Sequence, residues 1–209
     1  MSNLIKSTSY DQTEILRWIM QLCNIEQFDV DPTYSKGNFY KKGIPQPRLK
    51  YDISPVTDDT IQADCCNLPL DDNSMRSIVF DPPFLATTSK NLYVKNRNNI
   101  MVKRFGVFPT EKELHRFYIE ALKEFNRVLK DDGWLIFKCQ DKVSAGQQYF
   151  SHVFVCAKAI KLGFYPKDLF VLLSKNRLVA KWQRNQQHAR KFHSYFWVFQ
   201  KNKKRIKYM

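Results

Sequence analysis

A run of four residues, Asp81-Pro82-Pro83-Phe84, directly follows the apolar segment SIVF and combines a carboxylate, a rigid backbone and an aromatic ring. Each proline fixes its own φ angle and lacks a backbone N–H, so the pair makes a stiff corner that presents carbonyl oxygens. Such a corner can accept hydrogen bonds and stack its aromatic side chain on a flat ring. These four residues are the candidate catalytic residues.

The segments before and at this corner place acids where strands end. Residues 49–54, 60–64 and 77–81 are short apolar or β-branched segments typical of strands, and each ends at or close to an aspartate, namely Asp52, Asp64 and Asp81. Ligands of open α/β sheets bind at the carboxyl ends of the strands. The sequence therefore predicts a ligand site lined by acidic side chains.

The remaining chain alternates between helical and strand patterns. Apolar residues recur at helical spacing over 11–24, 110–132 and 150–164, and the second of these helices begins with a capping box, Thr110 and Glu113, and is expected to stop at Gly133. Strand patterns follow at 134–140, 168–174 and 194–200. Only a polar loop joins the last two strands, so the final strand is expected to be antiparallel to its predecessor.

These patterns predict one α/β domain over residues 1–209, with a mostly parallel sheet, an antiparallel last strand and helices on both faces. Residues 1–27 are its N-terminal helical segment, and 202–209 are a basic tail.

Charge is distributed very unevenly along the chain, whose formal net charge is +14. The segments 85–110 and 169–209 contain no acidic residue, which favours a polyanionic partner. Nucleic acid is the predicted partner, and a membrane surface is not, because the basic residues alternate with polar ones and show no apolar stripe. The loops 85–110 and 175–193 are the predicted nucleic-acid contacts, with Lys90, Arg97, Lys103, Arg104, Lys175, Arg177, Lys181, Trp182, Arg184 and Arg190 as candidate substrate-binding residues.

Cysteine and histidine spacing gives no metal-binding pattern. The five cysteines are odd in number, contain no CxxC pair, and are expected to be reduced. This spacing predicts no bound metal. The first residues show no secretion signal and the chain has no long apolar run, so we expect a cytoplasmic protein.

The corner Asp81 to Phe84 resembles the signature tetrapeptide of the S-adenosylmethionine-dependent methyltransferases that modify exocyclic amines of bases, especially the N6-adenine and N4-cytosine DNA methyltransferases. That family's tetrapeptide is Asp/Asn/Ser-Pro-Pro-aromatic. The resemblance implies a class I methyltransferase Rossmann-like fold. It also implies that Asp81 and the Pro82 carbonyl accept the two protons of the target amine, while Phe84 stacks on the flipped base.

The resemblance extends to a set of cofactor-binding residues. Asp31-Pro32-Thr33-Tyr34-Ser35-Lys36-Gly37 is similar to the family's Asp-Pro-Phe-x-Gly-Ser-Gly loop, Asp52 stands where the family has an acid for the ribose hydroxyls, and Asp64-Cys65 is similar to the segment that contacts the cofactor's adenine. Ser35 and Lys36 depart from the pattern, and Lys36 is expected to offer a cation to the methionine carboxylate. The prolines downstream leave little room for the family's usual helix after the loop.

These observations predict methyl transfer from S-adenosylmethionine to an amine of a base, with adenine N6 in DNA favoured. The alternatives are an RNA base or cytosine N4 as target, a catalytically silent binding module with the same fold, and a basic protein that binds RNA without any dependence on Asp81. No oligomeric state is predicted.

Overall fold

The computed structural model describes residues 4–86, 107–175 and 188–202. Its helices are α1 (Gln12–Cys23), α2 (Glu111–Val128) and α3 (Ser151–Lys161), with one 3-10 turn at Asn38–Tyr40. Its strands are β1 (Thr8–Ser9), β2 (Val30–Asp31), β3 (Leu49–Asp52), β4 (Ile61–Gln62), β5 (Met75–Phe80), β6 (Leu85–Ala86), β7 (Val107–Phe108), β8 (Leu129–Cys139), β9 (Lys142–Ser144), β10 (Gln147–Tyr149), β11 (Phe164–Leu173) and β12 (His193–Lys201).

One eight-stranded sheet organises these elements in the order β1-β11-β12-β8-β5-β2-β3-β4. Strand β12 is antiparallel to both of its neighbours, β11 and β8, and the other paired strands of this sheet run parallel. The predicted antiparallel last strand is confirmed. The chain runs outward from β2 through β3 to β4 and then returns to place β5 on the other side of β2. The boundary between β2 and β5 is therefore the switch point of the sheet, where a ligand crevice is expected.

Helices cover both faces of the sheet, as predicted. On one face α1 buries Ile15, Leu16 and Ile19 against a cluster that includes Val79 of β5 and Ile136 of β8. On the other face α2 and α3 pack in a cluster that contains the alternate residues of the same strands, Phe80 and Phe137. Side chains on successive strand residues point to opposite faces, which is why one pair of strands supplies both cores.

The ends of the helices follow local hydrogen bonding. Asp11 caps α1 by accepting the Thr13 N–H at 2.9 Å, and Thr110 caps α2 by accepting the Glu113 N–H at 3.2 Å, which confirms Thr110 as the predicted N-cap. The predicted stop of α2 at Gly133 is wrong. The helix ends at Val128, and residues 130–133 bulge out of β8 opposite Arg76 alone, because Met75 pairs with Leu129 and Ser77 with Trp134. A Cβ at Gly133 would lie 2.8 Å from the Lys130 carbonyl oxygen, so the glycine serves the tight bulge.

Two further features depart from the sequence patterns. The N-terminal segment 1–27 contains the short strand β1 as well as the predicted helix, and β1 pairs with β11 at the edge of the sheet. Strand β11 begins four residues before the predicted 168 and passes through an irregularity between Pro166 and Asp168. Within the described ranges, no helix is both long and apolar enough to cross a membrane.

Candidate active site at the switch point of the sheet

Two aspartates leave adjacent strands at the switch point. Asp31 is the last residue of β2, Asp81 directly follows β5, and the two strands pair in parallel through Val30 and Ile78. Both carboxylates therefore lie at the carboxyl edge of the sheet, where the sequence predicts the ligand site.

Thr33 joins the loop after β2 to the corner after β5. Its backbone N–H donates to Asp31 Oδ1 at 2.9 Å, and its hydroxyl accepts the backbone N–H of Asp81 at 3.1 Å. The hydroxyl proton is directed at Asp31 Oδ1, 3.4 Å away. The predicted cofactor loop and the predicted catalytic corner are thus bonded to each other.

The corner itself is held by its last two carbonyl groups. The Tyr118 hydroxyl of α2 donates to the Pro83 carbonyl at 3.0 Å, and Lys142 Nζ donates to the Phe84 carbonyl at 2.5 Å. In the described part of the chain no group donates to the Pro82 carbonyl. Among the described groups, the corner therefore leaves the Pro82 carbonyl and the Asp81 carboxylate as acceptors for a ligand, while Tyr118 and Lys142 hold the other two carbonyls.

Lys142 is itself tied down by a buried ion pair. Its ammonium lies 2.9 Å from Glu111 Oε2 at the start of α2, and both side chains are nearly inaccessible. Burial lowers the pKa of Lys142, and Glu111 opposes that shift. The pair fixes the cation that supports Phe84.

A second buried lysine faces the Asp81 carboxylate. Lys138 Nζ, on β8, lies 3.3 Å from each carboxylate oxygen of Asp81. The Asp81 side chain keeps 30% of its surface exposed, yet its Oδ1 is inaccessible and has no hydrogen bond among the described groups. Burial therefore raises the pKa of Asp81, and the charge of Lys138 opposes the rise.

The loop after β2 is closed onto β3. The Ser35 N–H donates to Asp52 Oδ2 at 2.9 Å, and the Tyr34 N–H donates to the Tyr51 carbonyl at 3.0 Å. Ser35 has φ +51° and Gly37 has φ +61°, so both take the left-handed conformation that favours glycine. The backbone bend at Ser35 is present although the glycine of the family pattern is not.

The loop after β2 is followed by a short turn with stacked aromatic rings, and not by the helix that the family pattern has there. Only the 3-10 turn Asn38–Tyr40 follows, as the downstream prolines predicted. The ring of Tyr34 stacks on that of Tyr40 at 5.6 Å, and the Tyr34 hydroxyl donates to Gln46 Oε1 at 2.6 Å. The Tyr40 hydroxyl in turn donates to Asp31 Oδ2 at 2.8 Å. Burial raises the pKa of Asp31 to about 7, and its bonds from Thr33 and Tyr40 oppose the rise.

The next strand end lies along the same edge. The Ala63 N–H donates to the Asp52 carbonyl at 3.0 Å, and Asp64 is exposed just beyond, with Oδ1 accepting the Cys66 N–H at 2.8 Å. Cys65 is buried, and its neighbour Cys66 together with burial raises the pKa of its thiol. Ligand atoms of Asp64, Cys65 and Cys66 lie within 4.8 Å of one another. The absence of a metal stays a prediction.

Most of the chain matches a known protein family. The sequence profile of the N6/N4 family described as DNA methylase matches residues 75–209, well over half of the chain. The chain belongs to this DNA methylase family. The match begins at β5 and takes in the Asp81 corner. Membership implies S-adenosylmethionine as cofactor and nucleic acid as substrate.

The fold of this methylase is shared with solved methyltransferase structures. One is a chain in the complex between the Haloferax volcanii Trm112 methyltransferase activator and a methyltransferase, 14% identical, with 92% of this chain and 90% of that chain covered and a TM-score of 0.52. Another is a sarcosine dimethylglycine methyltransferase from Galdieria sulphuraria, 13% identical, with 90% and 85% covered and a TM-score of 0.51. These likenesses confirm the class I methyltransferase fold alone.

A DNA modification methylase from Thermus thermophilus is 14% identical, with 64% of this chain and 47% of that chain covered and a TM-score of 0.38. This chain therefore spans about half the length of the Thermus thermophilus protein. No curated protein matches the sequence of this chain.

The residues predicted to hold the cofactor lie at the ends of neighbouring parallel strands of the methylase, β2, β3 and β4. A Cβ added at Gly37 would overlap the Tyr34 side chain, so the glycine lets the loop backbone pass close to the Tyr34 ring. Ser35 and Lys36 are exposed on this loop, Asp52 ends β3, and Asp64 lies just beyond β4, the neighbouring strand. Pro32 is buried beside Asp31.

The described ends of the second basic loop lie at the same edge of the sheet. Lys175 follows the end of β11, Arg190 precedes the start of β12, and the two strands pair antiparallel. Strand β12 also pairs with the carboxyl end of β8 through Tyr195 and Cys139, so this loop starts and ends on the Asp81 side. The other predicted substrate-binding residues lie outside the described ranges: Lys90, Arg97, Lys103, Arg104, Arg177, Lys181, Trp182 and Arg184.

Sequence reasoning missed the side chains that support the methylase's corner. One signal was available for Lys138, because it is the single charged residue inside the apolar run WLIFKC. Thr33, Tyr118 and Lys142 gave no signal, since their bonds reach residues 35 to 58 positions away.

Proposed function

We propose that this methylase transfers a methyl group from S-adenosylmethionine to the exocyclic amine of a base, adenine N6 in DNA. The observation that carries the proposal is the pair of acceptors at Asp81 and Pro82. An exocyclic amine has two protons to donate, and the corner offers two acceptors whose neighbouring carbonyls are already bonded. The pattern suits an amine better than a hydroxyl, which has one proton.

The acceptor pair orients the nitrogen lone pair. Hydrogen bonds from the amine to the Asp81 carboxylate and the Pro82 carbonyl fix the plane of the amine, and stacking on Phe84 fixes the plane of the base. When bound, the cofactor supplies an electrophilic methyl group on its sulfonium. The amine nitrogen would take this methyl group from the sulfonium sulfur and give up one proton. Asp81, whose pKa burial raises, is suited to accept that proton.

Residues along the adjoining strand ends would hold the cofactor. We assign the ribose hydroxyls to Asp52, the adenine amine to Asp64 with Cys65 beside it, and the methionine part to the loop from Asp31 to Gly37. Lys36 would offer its cation to the methionine carboxylate. Both Asp52 carboxylate oxygens accept backbone N–H groups, from Ser35 and Ser54, and these bonds fix the orientation of the carboxylate. Each oxygen keeps a further lone pair that can accept a hydrogen bond from a ligand.

Reaching an exocyclic amine in a duplex requires the base to be flipped out, which costs a few kcal/mol. The net charge of +14 and the two acid-free loops support contacts to the nucleic-acid backbone that offset this cost. The cytoplasmic location stays a prediction.

A parallel assay tests the proposal. Labelled methyl transfer from S-adenosylmethionine to duplex DNA, single-stranded DNA and RNA is followed by mass spectrometry of the nucleosides. We expect N6-methyldeoxyadenosine, lost in Asp81→Ala and retained in Asp71→Ala, which removes an exposed aspartate before β5, at the opposite edge of the sheet. Formation of N4-methyldeoxycytidine instead would support methyl transfer to an exocyclic amine and would show that the target base is cytosine. Nucleic-acid binding without transfer would overturn the proposal in favour of a silent binding module.

A further inference from the structure

Lys138 occupies a position where a lysine is unusual. It lies in β8 between Phe137 and Cys139, both fully buried, and its own side chain is only 11% exposed. Lysine is almost never buried unless its charge is paired. A buried ammonium in the central strand next to β5 therefore calls for a specific partner.

The partners of Lys138 come from separate parts of the chain. Its ammonium lies 3.3 Å from both Asp81 oxygens and donates to Gln12 Oε1, in the first turn of α1, at 2.9 Å. Aromatic rings surround the rest of the group, with centroids 4.9 Å away for Phe39, 5.4 Å for Phe196 and 5.9 Å for Phe84. This cage fixes the position of the charge, since cations are attracted to ring faces.

We propose that Lys138 is a positioning residue for methyl transfer, holding the Asp81 carboxylate charged and aimed at the target amine. The inference rests on the proposed function. The enclosed Oδ1 of Asp81 has the Lys138 ammonium as its neighbour, so the lysine fixes one side of the carboxylate and leaves the remaining acceptor sites for the amine. The contact of Lys138 with the Phe84 ring places the same cation beside the base clamp.

Other titratable groups near Asp81 do not replace Lys138. Asp31 from β2, Tyr40 from the 3-10 turn and Tyr118 from α2 are each influenced by the Asp81 charge, and none of them is a cation. Lys138 is the group that opposes the effect of burial on the pKa of Asp81. Without it, the carboxyl would retain its proton at higher pH, would accept a hydrogen bond from the amine more weakly and could not take up the amine's proton.

The test compares Lys138→Met, Lys138→Arg and Gln12→Ala in the full chain, with Lys123→Met as a control on the exposed face of α2. Single-turnover transfer is measured from about pH 5.5 to pH 9, and S-adenosylmethionine affinity by calorimetry. For Lys138→Met we expect transfer to fall by about 100-fold at neutral pH, as for a misplaced catalytic group, and the acid limb of the profile to move to higher pH. Cofactor affinity should stay unchanged. Lys138→Arg should keep the acid limb near its original place.

A second measurement keeps the inference testable if Lys138→Met folds poorly. Gln12→Ala leaves both charges in place and loosens one partner of the lysine, so we expect a smaller loss of transfer without a shift of the acid limb. In an Asp81→Asn background, Lys138→Met should cost much less than in the wild type, because the carboxylate that it positions is gone.

Equal losses in the two backgrounds, or loss of transfer without a shift of the acid limb in Lys138→Met, would overturn the positioning role. Failure of the proposed function is a different result, since the wild-type protein would then transfer no methyl group to any polymer.

Discussion

The Thr33 hydroxyl accepts the backbone N–H of Asp81 at 3.1 Å, and this bond joins the loop that follows β2 to the corner that follows β5. The two segments are 48 residues apart in sequence. The donor and acceptor sides of the proposed reaction are therefore linked through one side chain. A displacement of either segment would therefore strain this hydrogen bond and shift the other segment.

Thr33→Val tests this link, because valine matches threonine in shape and lacks the hydroxyl. The Asp81 N–H loses its acceptor, so we expect the free energy of unfolding to fall by about 1–3 kcal/mol and methyl transfer to fall as well. Thr33→Ser, which keeps the hydroxyl, should restore most of both. Chemical denaturation and single-turnover transfer measure the two effects. Equal activity in the valine and serine variants would show that the bond has no functional role.

Gly37→Ala tests the tight cofactor loop. The new Cβ would overlap the Tyr34 ring, lying 2.7 Å from Cζ, in addition to straining a backbone with φ +61°. We expect lower affinity for S-adenosylmethionine in calorimetry and a loss of stability beyond the roughly 1–2 kcal/mol of strain.

Gly146→Ala is the matched control for that variant. Gly146 also has a left-handed backbone, φ +74°, but an added Cβ meets nothing within 4 Å. The control should carry the strain alone and bind the cofactor normally. Equal cofactor affinities in the two alanine variants would contradict the role given to the loop.

Tyr118→Phe tests the support beneath the corner. The substitution keeps the buried ring and removes the hydroxyl that donates to the Pro83 carbonyl at 3.0 Å. We expect transfer to fall while cofactor affinity is unchanged, and stability to fall by about 1–3 kcal/mol because the carbonyl loses its donor. Tyr165→Phe on β11, a hydroxyl without a hydrogen bond to any described residue, should change neither quantity.

Much of this support could not be anticipated from the sequence. The Asp81 corner, the strand-end acids and the N-cap at Thr110 are local patterns, and each was predictable from adjacent residues. The bonds from Tyr118 and Lys138 depend on how β5, β8 and α2 are placed side by side, which no local pattern encodes. Gly133 shows that a local pattern can also mislead. A glycine after a helical pattern predicts the end of the helix, whereas Gly133 lies in a bulge inside β8.

The buried Asp31 should give the protein a measurable pH dependence of stability. Its pKa is raised from an ordinary 3.8 to about 7, so the folded state keeps the proton to higher pH than the unfolded state does. Stability conferred by this group is therefore present below about pH 4 and is lost as the pH rises through about 7.

Asp31→Asn removes that titration while keeping the size of the side chain. Relative to the variant, the wild type should lose at most about 4 kcal/mol between pH 4 and pH 7. Urea denaturation of both proteins across this range measures the difference. A constant difference between the two free energies would show that Asp31 is ionised throughout.

The most direct test of the account separates its two sides with Asp81→Ala and Asp52→Ala. Cofactor affinity by calorimetry and methyl transfer to DNA at saturating S-adenosylmethionine are measured for both variants. We expect Asp81→Ala to bind the cofactor as the wild type does and to lose transfer by about 100-fold or more, and Asp52→Ala to lose cofactor affinity instead. Transfer by Asp81→Ala at the wild-type rate would contradict the central claim that Asp81 and Pro82 hold the target amine.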